Sequence, residues 1–222
     1  LNLVGQIHNR PFFNVMGESK YLDSDEWTDQ FKVNLDSAFY IAKHYHRYCS
    51  KLKIKCNLIN VSSVSSEGNP GQIAYSASKA ALEVMTKTLA KELGTSGHRF
   101  NVLAPGFINV DSTKSSLTAS KLAEIEARTP LRSLGNIASI ANGIHFLLAS
   151  DFVTGHVLKV DGGKTSFDKT DKTDDTPLTR RLAKRTFEES GNYSVEPFQV
   201  NAKEYLNDNS NNGFKTVGTI ET

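Results

Sequence analysis

A tyrosine and a lysine that could share acid–base chemistry lie four residues apart in the stretch IAYSASKAAL, as Tyr75 and Lys79. Positions four apart occupy one face of an α-helix, so the lysine ammonium would lie beside the phenol. A neighbouring positive charge stabilises the phenolate and lowers the tyrosine pKa from its ordinary value of about 10. The pair is therefore a candidate general acid–base centre, although tyrosine and lysine at this spacing also occur on ordinary helix surfaces.

Two other polar positions favour the catalytic interpretation. Ser62 follows the apolar stretch CNLINV and precedes Tyr75 by thirteen residues, and its hydroxyl could donate to a substrate carbonyl oxygen. Ser63 fits this role more loosely by spacing, so Ser62 is preferred and Ser63 stays open. Asn34 lies among apolar residues of a predicted helix, although asparagine is a mediocre helix former. Its amide is therefore expected to hold a water or a backbone carbonyl near the lysine.

Short apolar runs alternate with segments of helical periodicity over residues 1–163. The predicted strands are Leu1–Ile7, Cys56–Val61, Arg99–Ala104 and His156–Val160, and the predicted helices are 24–48, 75–93 and 137–149. Asp23 with Glu26 is a candidate capping box for the first helix. The alternation predicts an α/β fold with a Rossmann-like, doubly wound parallel sheet covered by helices on both faces. In such sheets, ligands bind at the carboxyl ends of the strands.

Both ends of the chain differ from a complete domain of this kind. The opening LNLVGQI has the pattern of a buried strand that leads into a glycine turn, so we expect an N-terminally incomplete domain. Residues 164–222 are polar and charged, which predicts a C-terminal extension, partly disordered, with one short helix over residues 178–190.

Composition excludes several classes of function. The 222 residues are 38% hydrophobic and 23% charged, with a formal net charge of +2, which is too small to indicate a nucleic-acid or membrane partner. Cys49 and Cys56 lack the spacing of a zinc site or a disulfide framework, so reduced thiols and no bound metal are expected. Without a membrane-spanning run or a signal peptide, the sequence predicts a cytoplasmic protein.

Asn34, Ser62, Tyr75 and Lys79 together resemble the Asn–Ser–Tyr–Lys tetrad of the short-chain dehydrogenase/reductase family. YSASKAAL is a specific form of that motif, and RFNVLAPGFI resembles the family's strand and Pro-Gly turn beside the nicotinamide. The resemblance covers residues 1–163, the C-terminal two-thirds of such a domain. It is strongest for 3-oxoacyl-(acyl-carrier-protein) reductases.

The resemblance implies a role for each residue. Tyr75 would protonate a carbonyl oxygen while a nicotinamide delivers hydride to the carbon. Lys79 would lower the tyrosine pKa and bind the nicotinamide ribose, Ser62 would orient the substrate oxygen, and Asn34 would hold a proton-relay water. The cofactor would be NADP or NAD, with NADP slightly preferred. The implied cofactor-binding residues are Asn2, Gly5, Tyr75, Lys79, Pro105, Gly106 and Ile108.

Two departures from the family pattern concern the cofactor. The glycine-rich turn that binds pyrophosphate at the start of the family's domain is not found in these residues, so we expect it to be cleaved off, on another chain or lost. The family's Asn-Asn-Ala-Gly turn appears as Asn2-Leu3-Val4-Gly5, which keeps the glycine for close backbone approach and lacks the second asparagine.

These features predict an NAD(P)H-dependent oxidoreductase that reduces a small-molecule or carrier-bound carbonyl, either a 3-oxoacyl thioester or a similar ketone. The alternatives are a sugar or polyol dehydrogenase of the same family, or a non-catalytic scaffold subunit that has lost cofactor binding. The segment that would contact substrate, about residues 112–134, does not separate these possibilities. By resemblance, the protein would form a homodimer or homotetramer through its Asn34 and Tyr75 helices.

Overall fold

The computed structural model describes residues 1–14 and 20–165. The regular elements occur in the following order: β1 Phe13–Asn14, β2 Lys20–Tyr21, α1 Ser24–Phe31, a π-helical turn Lys32–Asp36, α2 Ser37–Leu52, β3 Asn57–Val61, a 3₁₀ turn Val64–Glu67, α3 Ile73–Leu93, a 3₁₀ turn Gly94–Ser96, β4 Arg99–Pro105, α4 Asp111–Ser116, α5 Ala119–Arg128, α6 Ile137–Ala149 and β5 Val157–Val160. The predicted helix over residues 178–190 lies outside the described residues.

A parallel sheet in the order β3-β4-β5 forms the centre of the fold, and α3 and α6 are its two crossover helices. Val61 pairs with Leu103, and Val102 pairs with Val157, so the carboxyl ends of the three strands lie at one edge. The α/β class and the three strands predicted after residue 55 are confirmed. Strands of a parallel sheet are expected to form continuous apolar runs, because helices cover both faces of the sheet.

Side chains alternate along the strands and build a core on each face of the sheet. Leu58 and Phe100 pack with Cys49 of α2 and Ala90 of α3 on one side. On the other side, the core consists of Ile59, Leu103 and Leu147, with Ile140, Ile144, Val153, Leu158 and Val160 packed against it. Helices therefore cover both faces, as the periodicity predicted.

Residues Leu1–Ile7 do not form the predicted strand. Asn2 makes a single parallel bridge to Asn60, and Asn2 N and O then bond to the neighbouring backbone of β3. Beyond Asn2, backbone N–H groups bond to side chains instead of to a strand. Val4 N–H donates to Asn2 Oδ1, and Gln6 N–H donates to Asn34 Oδ1. Apolar character alone predicted a strand here, but in the described part of the chain the segment pairs with the sheet only through the bridge from Asn2 to Asn60.

The first predicted helix is confirmed in extent but is interrupted by the π-helical turn. Asp23 is the N-cap and accepts a hydrogen bond from Asp25 N. The capping box is wrong, because the Glu26 carboxylate pairs with the Arg10 guanidinium at 3.1 Å. The β1–β2 hairpin and helices α4 and α5 were not predicted, since short polar segments carry little periodicity.

A chain of buried polar groups connects the N-terminal segment to the sheet and to α3. Asn2 Nδ2 donates to Asn60 Oδ1 at 3.0 Å, and Asn60 Nδ2 donates to Thr86 Oγ1 at 2.9 Å. Thr86 in turn donates to the Leu82 carbonyl at 2.7 Å. Since every member has a partner, the chain adds specificity without leaving an unsatisfied buried group. Of the helices in the described residues, none is long and apolar enough to cross a membrane.

Leu103→Ala tests the packing of the α6 face. Leu103 of β4 is fully buried in the core under α6, so its truncation should lower the free energy of unfolding by about 2–5 kcal/mol. Leu148→Ala is the matched control, because Leu148 is 47% exposed on α6 and should change stability far less. Urea unfolding of both variants measures the difference, and equal losses would contradict this core assignment.

Candidate active site

The loop between β3 and α3 places the start of α3 at the carboxyl edge of the sheet. Gly68 and Gly71 in this loop have φ values of +99° and +83°, a region that residues with a Cβ rarely adopt. Helix α3 then begins at Ile73, and Ser76 N donates to the Gln72 carbonyl at 2.8 Å. The loop therefore needs glycine at both positions to turn the chain back and bring Tyr75 to the end of β3.

Lys79 is a buried cation. Its side chain is 4% exposed, and Nζ donates to the carbonyl oxygen of Val61, the last residue of β3, at 2.9 Å. Burial disfavours the ammonium and lowers the pKa of Lys79 to about 8. Lys79 Nζ lies 5.8 Å from the centroid of the Tyr75 ring, so the two side chains share one end of the site, as the helical spacing predicted.

The net pKa of Tyr75 does not fall, as the neighbouring lysine alone would predict. Burial raises the pKa of Tyr75 above its ordinary value, and a hydrogen bond from the Ser63 hydroxyl only partly opposes that rise. Desolvation of the phenolate therefore outweighs the other influences. Tyr75 is protonated over the whole neutral range, which is the state that a general acid requires.

The geometry favours Ser63 over Ser62 as the hydroxyl partner of Tyr75. Ser62 is buried and donates to a Glu83 carboxylate oxygen at 2.7 Å, so its hydroxyl is directed at α3 and not at a ligand crevice. The Ser63 hydroxyl instead acts on the Tyr75 phenol, whose pKa it lowers against the effect of burial. Strand alternation predicts that Ser62 and Ser63 face opposite ways, but it does not show which of them faces Tyr75.

Asn34 lies in the π-helical turn between α1 and α2, and its side chain is fully buried. Its Oδ1 accepts from Gln6 N at 2.8 Å, and its Nδ2 donates to the Gln6 carbonyl and to Ser78 Oγ, each at 3.0 Å. All polar atoms of this amide therefore have partners. π-helical turns often occur at functional sites, where they redirect one residue of a helix.

Gly5 lies directly against Asn34 and Lys79. A Cβ at this position would be 3.0 Å from Lys79 Nζ and 3.4 Å from Asn34 Oδ1, so any other residue would push against both side chains. The glycine keeps its backbone close to the ammonium, which agrees with its predicted place beside a cofactor. Gly5, Asn34, Ser63, Tyr75 and Lys79 thus converge at one site.

The other predicted cofactor residues take different positions. Asn2 is directed into the buried polar chain, where it also accepts from Val4 N at 3.1 Å and so holds the turn that leads to Gly5. Pro105 ends β4, and Gly106 packs so tightly on Asp161 that a Cβ would come within 2.7 Å of its Cα. Ile108 bridges to Gly135, a contact with no signal in the sequence.

The described residues contain no group of three or more His, Cys, Asp or Glu side chains that could hold a metal ion. Cys49 and Cys56 are both free and buried, and burial raises the pKa of Cys56 to about 12. That thiol is therefore unreactive as a nucleophile at neutral pH.

Known proteins are similar to this chain in both sequence and fold. A family model described as enoyl-(acyl carrier protein) reductase matches residues 3–165. A 3-oxoacyl-(acyl-carrier-protein) reductase of Haemophilus influenzae is 39% identical over 145 residues, which are 64% of this chain and 59% of the relative. The chain thus spans about 59% of the length of that curated relative.

Two solved structures have the same fold with lower identity. A gluconate 5-dehydrogenase from Burkholderia cenocepacia, in complex with NADP and tartrate, superposes with a TM-score of 0.67 at 29% identity, over 75% of this chain and 64% of that one. A 4-hydroxyisoleucine dehydrogenase complexed with NADH gives 0.63 at 28% identity, over 75% and 68%. With its family model, its relatives and its converging site residues, the chain belongs to the short-chain dehydrogenase/reductase family.

Proposed function

We propose that the protein is an NAD(P)H-dependent oxidoreductase that reduces a carbonyl group, with Tyr75 as the general acid. The observation that carries this proposal is the convergence of a protonated phenol, a serine hydroxyl and a buried ammonium at the carboxyl edge of a parallel sheet. Among the ion pairs of the described residues none involves the Lys79 ammonium, and burial lowers its pKa. A buried charge kept without a counter-ion indicates a functional site.

Each side chain then has one task. Tyr75 gives its phenolic proton to the carbonyl oxygen as negative charge develops there. Ser63, whose hydroxyl lowers the pKa of that phenol, orients the substrate oxygen as a second donor. Lys79 stabilises the phenolate that remains, and Asn34 fixes the backbone beside the lysine through Gln6.

The residues present fit a nicotinamide nucleotide. Gly5 provides a backbone surface beside Lys79 that a Cβ would fill, and the Lys79 ammonium is a donor suited to ribose hydroxyls. When bound, the nucleotide supplies the hydride. Solved relatives hold NADP or NADH, so both nucleotides are candidates, with NADP slightly preferred through the resemblance to 3-oxoacyl-(acyl-carrier-protein) reductases.

A 3-oxoacyl thioester is the first substrate candidate, because the 39% identical relative is named for that reaction. A sugar acid or polyol is the second, favoured by the fold match to gluconate 5-dehydrogenase. Steady-state assays with NADPH or NADH, one with a 3-oxoacyl thioester and one with a 5-keto sugar acid, distinguish the two. If no nicotinamide nucleotide binds the complete protein at millimolar concentration, both fail and the scaffold alternative is favoured.

A homodimer or homotetramer remains part of this proposal. Phe39 and Tyr40 of α2 and Val84 of α3 are 50%, 56% and 62% exposed, which places large apolar side chains on the outer surfaces of the two site-bearing helices. Covering such side chains with a second copy would remove apolar area from water. We also propose a cytoplasmic location, which the resemblance to 3-oxoacyl-(acyl-carrier-protein) reductases implies.

Tyr75→Phe tests the general acid directly. The change removes the phenolic hydroxyl but keeps the ring, so we expect kcat for carbonyl reduction to fall by about 10²–10⁴-fold. Nucleotide affinity should change little, since the ring and Lys79 remain. Tyr48→Phe is the matched control, because Tyr48 is 58% exposed on α2. Full activity in Tyr75→Phe would overturn the assignment.

Ser63→Ala and Ser62→Ala decide between the adjacent serines. Removal of the Ser63 hydroxyl should lower kcat/KM for the carbonyl substrate by about 10²-fold, as loss of one donor to a developing oxyanion does. Ser62→Ala should instead lower the unfolding free energy by about 1 kcal/mol through loss of its bond to Glu83, with a much smaller effect on catalysis. The reverse pattern would restore the assignment made from spacing.

The pH dependence follows from the pKa of Lys79. A protonated lysine is required, and its folded pKa of about 8 lies below the ordinary value of 10.5, so the ammonium is lost as pH rises through about 8. We therefore expect kcat/KM for the nucleotide, which reports the free enzyme, to be constant at lower pH and to decline above that value. A profile that stays flat to pH 10 would contradict this role for Lys79.

A further inference from the structure

A glutamine is fully buried one helical turn before Asn34. Gln30 on α1 is 1% exposed, and a buried glutamine costs both side-chain entropy and desolvation unless its amide is bonded. Both ends of the amide are used: Oε1 accepts from His8 N at 3.0 Å, and Nε2 donates to the Gln6 carbonyl at 2.7 Å. The proposed reaction has so far given this residue no task.

Gln30 and Asn34 act on the same piece of backbone. Residues four apart on a helix lie on one face, and here both side-chain amides bond to the extended segment of residues 6–8. Asn34 bonds to the N–H and C=O of Gln6, and Gln30 bonds to the C=O of Gln6 and the N–H of His8. In the described part of the chain, these residues pair with no strand, so the two amides supply the hydrogen bonds that a neighbouring strand would provide.

Attachment at two residues constrains the segment more than attachment at one. Asn34 alone fixes Gln6, around which the backbone could still rotate, whereas Gln30 adds a second fixed point at His8. Gly5 immediately precedes this clamped segment, and its backbone lies against Lys79 Nζ. A shift of residues 6–8 would therefore move Gly5 away from the ammonium.

We propose that Gln30 is a positioning residue: its amide clamps the backbone of residues 6–8 and thereby holds Gly5 against the Lys79 side chain. For its effect on turnover, this inference rests on the proposed carbonyl reduction. For its effect on the backbone of residues 6–8, it stands on the hydrogen bonds alone. A residue that merely fills the core would need only volume, which an apolar side chain of similar length supplies equally well.

Gln30→Met is the first test, with Lys32→Met as its matched control. Methionine keeps the length and volume of glutamine but loses both amide bonds, while Lys32 lies two residues later with a side chain that is 62% exposed. We expect Gln30→Met to lower kcat about tenfold, as two lost hydrogen bonds imply, with the carbonyl KM unchanged. The amide proton of His8 should exchange faster, and the control should match the parent in both measurements.

Gln30→Glu is the second test and gives a pH signature. A neutral carboxyl group can accept from His8 N and donate to the Gln6 carbonyl, as the amide does, whereas a carboxylate can only accept. Burial raises the pKa of a carboxyl group, so kcat relative to the parent should be near normal at low pH and decline as pH rises. Titratable groups near this position include Glu26, which pairs with Arg10, His8, whose N–H donates to Gln30, and Lys79 beside Gly5.

Three outcomes are decisive. If folded Gln30→Met keeps the kcat and the His8 amide exchange of Lys32→Met, Gln30 only fills space and the inference is overturned. If Gln30→Glu shows the same relative kcat at every pH, the donor to Gln6 has no role and the inference is also overturned. If the parent reduces no carbonyl substrate, the proposed function fails, and amide exchange at residues 6–8 still decides the clamp.

Discussion

The buried ammonium of Lys79 is the constraint around which the rest of the structure is arranged. Its pKa of about 8 implies a desolvation cost on the order of 3 kcal/mol at neutral pH, where the lysine is charged in both the folded and the unfolded chain. This cost disappears only as pH rises from 8 towards the unfolded value of 10.5. A core built for stability alone would not contain such a group, so its presence indicates chemistry.

The surroundings of Lys79 are polar but nearly uncharged. The Val61 carbonyl accepts from the ammonium at the end of β3, and the amide of Asn34 and the backbone of Gly5 lie beside it. Neutral dipoles stabilise the charge only partly, which keeps the lysine pKa low and leaves the charge available to a phenolate or a ligand. A carboxylate in the same place would raise that pKa and neutralise the site.

Side-chain amides replace strand pairing at the start of the chain. Asn2 joins the sheet by one bridge, and the backbone that follows is held by Asn2, Asn34 and Gln30. Each amide offers a donor and an acceptor with the spacing of a peptide group, so a helix can satisfy an extended segment as a strand would. Helix α1 and its π-helical turn therefore position the active-site backbone as well as the Asn34 side chain.

The sequence by itself determined the α/β class, the strands β3 to β5, the helix of Tyr75 and Lys79, and the identity of most of the converging residues. Hydrophobic periodicity and helical spacing are local properties, so these predictions needed no tertiary information. Only the tertiary contacts favour Ser63 over Ser62 as the partner of Tyr75, because a one-residue step along a strand reverses the face on which a side chain lies and the sequence does not say which face meets Tyr75. The tertiary structure also decided the sign of the Tyr75 pKa shift and the clamp by Gln30, since burial and long-range hydrogen bonds depend on which segments fold against each other.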